Sequence, residues 1–444
     1  MLPGLAKLFK IMEQISNLKL KTSKCVLVPL WAYCDRLFKT LLKECVPAWS
    51  DMNVAKYAKY VGYSIGPGAG QRTWTEPAAK YEKRCRDVKG MGMGLLVSVR
   101  MYNQMCITVL SHVMQLYMAP TQVMNLEHKM LQILTNGPYH TFSKNSLHNL
   151  KEASLPNEFA SVHVQNLAAM VRAALKTSSN YHQMSRRLAD AAVDINSALR
   201  PALCDWYESG AVRSLDRAVA RVMSFGICIL PANYDESMSF QKELASQLQV
   251  HLSAPSFPAF LRTRLSRWLL AECTQAEMNS VTDNALLVLA QLKGCVPPAV
   301  IVSVLKTWLN GWCTSRRFGD EPAGCKLMAC CHGEDELEHY CICQHAKHYL
   351  KRRLFLDVDP AGMRSFMLLD LDIPGPLPLM ATHLHALLGA FNKCRHAGPC
   401  ESQTCLDEAI WERWRATMTL CPRLEHILND WKGSRPRLHR PRPN

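Results

Sequence analysis

Between Cys325 and Cys343 the chain concentrates C-x4-C-x8-H-x3-C, with Cys325, Cys330, His339 and Cys343 as the four ligand-type side chains. Three sulfurs and one imidazole within so short a stretch suit a four-coordinate, redox-inert Zn²⁺, and a cation held this way fixes the local fold regardless of core size. His339 and Cys343 are four residues apart, so a helix through DELEHYCICQHAKHYLKRRLF would present both on one face, toward a knuckle carrying Cys325 and Cys330. The loop GEDE supplies the turn between the halves. Cys331, His332 and Cys341 flank the favoured set, and a shift of one residue would still leave four ligands. Structural zinc is the cofactor expected here.

Bulk properties place this module in a larger globular chain. Its 444 residues exceed what one core serves, and 48% hydrophobic residues are ample for several subdomains. Lys and Arg exceed Asp and Glu by 52 to 37, for a formal charge of +15, which favours a polyanionic partner. The 19 cysteines are scattered, and Lys7 and Lys10 interrupt the apolar run a signal peptide needs, so a reducing intracellular compartment, nuclear or cytoplasmic, is expected rather than secretion. Residues 101 to 126 and 373 to 392 lack Asp, Glu, Lys and Arg, yet polar residues in the first and Pro374, Pro376 and Pro378 in the second make both buried helices rather than membrane spans.

Periodicity predicts a mostly α chain. Residues 1–68 read as a small α+β unit: an amphipathic helix over LAKLFKIMEQI, a strand in LKLKTSKCVLVPL, a helix from Ala32 to Glu44, and a hairpin in KYVGYSIGPGAG. Residues 69–150 read as helices, including a long, nearly uncharged one through VSVRMYNQMCITVLSHVMQLYM, and 151–290 as a helical linker region with the basic segment FLRTRLSRW. The Cys/His module occupies 291–356. Helices and a basic, proline-rich tail fill 357–444.

With these elements in place the chain resembles the C-terminal part of a non-LTR (LINE-like) retrotransposon reverse transcriptase, up to about Leu356. Three segments carry the resemblance in order. LPGLAKLF, LKLKTSKCVLVPL and AKYVGYSIGPGAGQRTW are similar to the late palm helix, the lysine-bearing strand and the primer-grip hairpin. KYEKRC, MYNQMCITVLSHVMQLYMAP and LTNGPYH are similar to the thumb and the helices behind it, and NGWCTSRRF with the Cys/His module to the family's zinc knuckle. The resemblance implies a partner that is RNA or an RNA/DNA hybrid, with Lys24 facing phosphates and Tyr60, Val61 and Gly62 holding the primer end. Arg316 and Arg317 before the knuckle, and Lys347, Lys351, Arg352 and Arg353 after it, would grip the backbone.

The departures limit what can be carried over. No Y-x-D-D occurs, and Tyr234-Asp235 in NYDES lies in the helical region, so no catalytic residue is assigned and Mg²⁺ belongs only to an intact parent polymerase. Lys21 also stands where the family usually has Asn. The expectation is therefore a truncated segment that binds without polymerising; the rival is a host-adopted zinc-binding protein acting by protein interaction. GPGAGQRT lacks the spacing and lysine of a phosphate loop, and Asp370 and Asp372 lack the Glu-x-Lys of a nuclease. Cys394, His396, Cys400 and Cys405 make a second, more compressed ligand pattern.

Overall fold

The computed structural model describes residues 2–29, 34–66, 69–176, 211–227, 239–268, 274–321, 323–356, 363–369 and 375–434. Tyr234-Asp235, Asp370, Asp372 and most of the basic tail lie outside them. The chain is mostly helical, with two small two-stranded sheets among the described residues. No helix among them is long and apolar enough to cross a membrane. The structure divides into two compact units, Met1–Arg84 with Gln104–Glu127 and Ala160–Leu252, and Cys85–Asn103 with His128–Phe159 and Ser253–Asn444. Neither coincides with a segment drawn in chain order.

In the first unit, β1 (Val26–Leu27) runs parallel to β2 (Asn53–Val54). The helix Asp35–Cys45 covers them with Phe38 and Leu42, which join Val46, Trp49, Met52 and Val54 in one apolar cluster. The predicted strand through LKLKTSKCVLVPL shrinks to these two residues. Lys21 has extended backbone and Lys24 ends a single 3₁₀ turn, so pairing starts only at Val26. A separate core is helical: Leu167, Met170 and Val171 of Val162–Lys176 meet Ala218 and Val222 of Ala211–Ser224 and Leu248 of Ser239–Leu252. Their spacing of three and four places each set on one face.

The hairpin read in KYVGYS is present. β3 (Ala58–Tyr60) pairs antiparallel with β4 (Tyr63–Ile65) across a two-residue turn at Val61-Gly62. Both turn residues have positive φ, 48° and 85°, the condition for the primed turn that matches strand twist. Glycine adopts this freely; a β-branched valine is strained there. His112 holds the turn: its Nε2 lies 2.9 Å from the Val61 carbonyl, its ring stacks on Tyr63 at 4.3 Å, and Tyr63 Oη donates to the His112 carbonyl at 2.7 Å. A Cβ on Gly62 would stand 3.0 Å from His112 Nε2, so the ring requires glycine's missing side chain as well as its φ.

The long, nearly uncharged helix expected over 97–118 is not continuous. After Leu95–Met101 the backbone widens to a π turn over Tyr102–Cys106, tightens to 3₁₀ over Ile107–Leu110, and makes another 3₁₀ turn at Val113–Gln115. Hydroxyls explain part of this: Thr108 Oγ1 donates to the Gln104 carbonyl at 3.0 Å and Ser111 Oγ to the Thr108 carbonyl at 2.7 Å, competing with the helical ladder. The burial reading survives, since Val99, Tyr102, Cys106, Leu110 and Val113 are all enclosed.

The second unit is helix on helix. Pro298–Trp308 packs on Leu377–Ala397, which packs on Gln403–Leu420. The uncharged run after Pro376 is buried as expected, through Leu379, Met380, Leu384, Leu387 and Phe391. Phe257–Leu265 packs on Gln275–Leu292, whose start is fixed by a capping box between Thr274 and Glu277. Trp308 is enclosed with its indole N–H donating to the Met367 carbonyl at 2.6 Å, while Trp312 and Trp414 are enclosed in the same unit. These tryptophans are core residues and have no face left for a base.

Candidate metal centre

The Cys/His module is built as two arms closed at their base. Gly324 and Glu334 form an antiparallel bridge, and Asp335 N–H donates to the Ala323 carbonyl at 2.7 Å, so Cys325 opens a loop that returns at once to its origin. The returning arm enters the helix Leu337–Ile342, which carries His339, and Cys343 caps that helix, its N–H donating to the His339 carbonyl at 2.7 Å. The single helix expected through this stretch breaks at Cys343, where ψ of 121° starts a second helix, Gln344–Tyr349. His339 and Cys343 still share a face.

Four ligand atoms converge. Those of Cys325, Cys331, His339 and Cys343 all lie within 4.8 Å of one another. Cys331 Sγ stands 3.4 Å from His339 Nε2 and 4.0 Å from Cys343 Sγ. Thiolates about 2.3 Å from a tetrahedral Zn²⁺ are separated by about 3.8 Å, so the residues fit the cation. Cys325 and Cys343 are buried, while Cys331 and His339 are half-buried. Without a cation the thiols share their protons: a hydrogen bond from Cys343 holds the Cys325 thiol far below its usual range, and that bond together with burial drives Cys343 upward. A bound divalent cation would replace that proton and let every sulfur ionise.

This geometry corrects one ligand. Cys330 is exposed and points elsewhere, its Sγ 3.7 Å from His345 Nε2, while Cys331 takes the position expected for Cys330. His345 in turn lies 2.8 Å, through Nδ1, from Gln403 Oε1. The spacing of the residues that converge is therefore C-x5-C-x7-H-x3-C. Choosing between adjacent cysteines depends on the loop path, which no ligand count reveals.

Residues behind the ligands lock that path. Asp335, buried, accepts from Ser315 N–H at 2.8 Å, from Ser315 Oγ at 2.7 Å and from Tyr340 Oη at 2.6 Å. Tyr340 Oη also accepts from Lys326 N–H at 3.0 Å, beside Cys325. Its ring stacks on Trp312 at 5.6 Å and meets Phe391 edge-on at 5.1 Å, tying the module to the helical core. Gly333 lies against the His339 ring: a Cβ there would stand 2.0 Å from His339 Cε1. Gly333→Ala should consequently push the imidazole out of register and weaken zinc binding about 10- to 100-fold, read by competition with a chromophoric chelator. Unchanged affinity would show that the ring is not a ligand.

The other predicted site residues separate into two groups. Lys24, Tyr60, Val61 and Gly62 belong to the first unit; Lys24 is exposed, and Tyr60 and Val61, 67% and 68% exposed, form the hairpin tip. Arg316, Arg317, Lys347, Lys351, Arg352 and Arg353 belong to the second. Arg316 is committed to an ion pair with Glu336. Lys351, Arg352 and Arg353 are exposed, and Lys347 is half-buried.

Arg317 has company that sequence reading did not assemble. Its Nη2 donates to the Tyr139 carbonyl at 3.0 Å, and Arg264 Nη2 donates to the next carbonyl, that of His140. Two guanidiniums thus sit on consecutive peptide groups. Arg267 adds a third, 3.9 Å from Glu338, and Tyr139, whose carbonyl Arg317 holds, is 50% exposed. Burial first, then Arg264 and Arg267, hold Arg317 below the usual guanidinium range. Arg264 and Arg267 were visible only as part of a basic segment, and their meeting with Arg317 requires the fold.

No protein-family model, curated protein or solved structure matches this chain.

Proposed function

We propose that the chain binds RNA or an RNA/DNA hybrid through its phosphate backbone, with the zinc module as a rigid platform, as the resemblance to the C-terminal part of a non-LTR reverse transcriptase implies. The observation that carries this reading is the cluster of Arg264, Arg267 and Arg317. Two guanidiniums sit on consecutive carbonyls, Arg267 lies close enough to help depress Arg317, and Glu338 is the carboxylate beside Arg267. Like charges held together repel at a cost that a polyanion relieves, and planar guanidiniums match phosphate oxygens two at a time. The exposed Tyr139, whose carbonyl Arg317 holds, suits an unstacked base.

The hairpin tip supports the same reading in the first unit. Val61 is held at a strained φ beside an exposed Tyr60, and strain of this kind is kept where a surface must be presented in one shape. In the family this hairpin grips the primer end. Zinc contributes no chemistry to the proposal; it fixes Thr314–Phe318 through the loop that Asp335 anchors.

The test is a salt series on a primer–template duplex. Affinity should fall steeply with salt, and Arg264→Ala with Arg317→Ala should flatten the log–log slope by about 2, roughly one per lost phosphate contact. Replacing both by Lys should keep the slope while losing part of the affinity. Binding that ignores salt, or absence of binding at low salt, would overturn the reading in favour of a protein-interaction module.

A further inference from the structure

Away from the Cys/His module, two more thiols each approach Cys400. Cys394 lies in the last turn of Leu377–Ala397, Cys405 in the first turn of Gln403–Leu420, and Cys400 in the loop between these helices. Cys394 Sγ is 3.7 Å from Cys400 Sγ, and Cys405 Sγ is 3.3 Å from it. A disulfide would bring two of these sulfurs to about 2.05 Å. Separations of this size are near the roughly 3.8 Å between thiolates sharing a tetrahedral d¹⁰ cation.

The loop is held in place by its backbone. Cys400 N–H donates to the Leu327 carbonyl at 3.0 Å, and its own carbonyl accepts from Ala329 N–H at 3.1 Å. Ser402 Oγ accepts from Cys405 N–H at 3.3 Å, capping the second helix and aiming that thiol back at Cys400. A cavity of about 620 Å³ is lined by all three cysteines together with Glu401 and Glu408, while Glu412, also in its wall, is paired with Lys393 at 3.0 Å. His396, the imidazole of the compressed pattern, instead accepts from Arg395 Nη2 at 3.0 Å and is not part of the cavity wall.

We propose that Cys394, Cys400 and Cys405 form a second Zn²⁺ site, a three-thiolate site whose fourth position faces the cavity and takes water or one of its carboxylates. Because Cys400 pairs with 327–329, between Cys325 and Cys331, the second cation would brace the first module against the two C-terminal helices. That gives the three thiols a structural purpose which packing as small hydrophobes does not require.

Elemental analysis of the full chain purified under reducing conditions decides the matter. Two equivalents of zinc are expected in the wild type, one in Cys405→Ser and one in Cys343→Ser. Loss of protein in either variant is covered by the wild type itself: alkylation with peptide mapping should find Cys394, Cys400 and Cys405 protected with zinc and modified after chelation. One equivalent in the wild type with these three thiols freely alkylated would overturn the proposal, as would a disulfide joining any two of them.

Discussion

Stripping zinc from this chain should unfold the module between Ala323 and Tyr349, and Cys331→Ser should do the same while Cys330→Ser leaves the metal in place. The reasoning starts from how little apolar material the module has of its own. Most of its buried apolar residues, Leu337, Tyr340, Cys341, Ala346 and Tyr349, come from the two short helices, while the loop from Ala329 to Glu334 is exposed or half-buried throughout. The protein groups closing it are the Gly324–Glu334 bridge, the pairing of 327–329 with Cys400, the Asp335 hydrogen bonds and the four ligands. In small zinc modules the binding free energy, about 10–16 kcal/mol at neutral pH in finger peptides, is folding free energy. That is as large as the roughly 5–15 kcal/mol by which whole domains are stable.

Hydrogen exchange on the metal-loaded and chelated protein measures the loss directly, with protection vanishing over 323–349. The paired variants then test the ligand set. If Cys330→Ser releases zinc and Cys331→Ser does not, the loop runs one residue out of step with the structure and Gly333 no longer explains the placement of His339. Asp335→Ala offers a metal-independent check on the same scaffold. It strands the Tyr340 hydroxyl and the Ser315 N–H in a buried setting, where each costs about 1–3 kcal/mol.

How far the sequence revealed this site follows from what each residue type encodes. Cysteine and histidine at close spacing announce a metal module because few other arrangements use them, so Cys325, His339 and Cys343 were legible without a fold. The choice between Cys330 and Cys331 was not. It is made by the tight return at Gly324 and Glu334 and by the ring of His339 resting on Gly333, contacts that set the loop path and that a count of ligand types does not encode. The Val61-Gly62 hairpin was legible because turn and strand signals are local. The arginine cluster was not, because Arg264 and Arg317 meet only through the carbonyls of Tyr139 and His140, over a hundred residues away from either. The same limit explains the interleaved units: periodicity locates helices but says nothing about which distant helices share a core.

Acid should destabilise the second unit well before its carboxylates titrate, and two histidines set the window. His383 is enclosed in the helix Leu377–Ala397 with its ring stacked on Tyr349 at 5.7 Å, and burial pushes it down to about 3. His385, 2.7 Å through Nδ1 from Ser303 Oγ, is pushed down to about 4, by burial first and Arg413 second. In the unfolded chain both return to about 6.5. Below that value the unfolded state binds protons that the folded state refuses, so stability falls as pH drops from about 6.5 toward 4. Each histidine contributes a slope that rises toward about 1.4 kcal/mol per pH unit below its unfolded pKa, and the pair therefore removes about 3 kcal/mol between pH 6.5 and 5. Urea midpoints measured across this range should fall with a slope near two protons. Protonation of the zinc thiolates adds to acid lability in every variant, so the comparison that isolates the histidines is between the wild type and His383→Phe. Phenylalanine keeps the stacked ring without the titration, and the slope should lose about one proton. An unchanged slope would mean that His383 meets solvent or a proton acceptor in the folded chain, which its burial on Tyr349 does not allow.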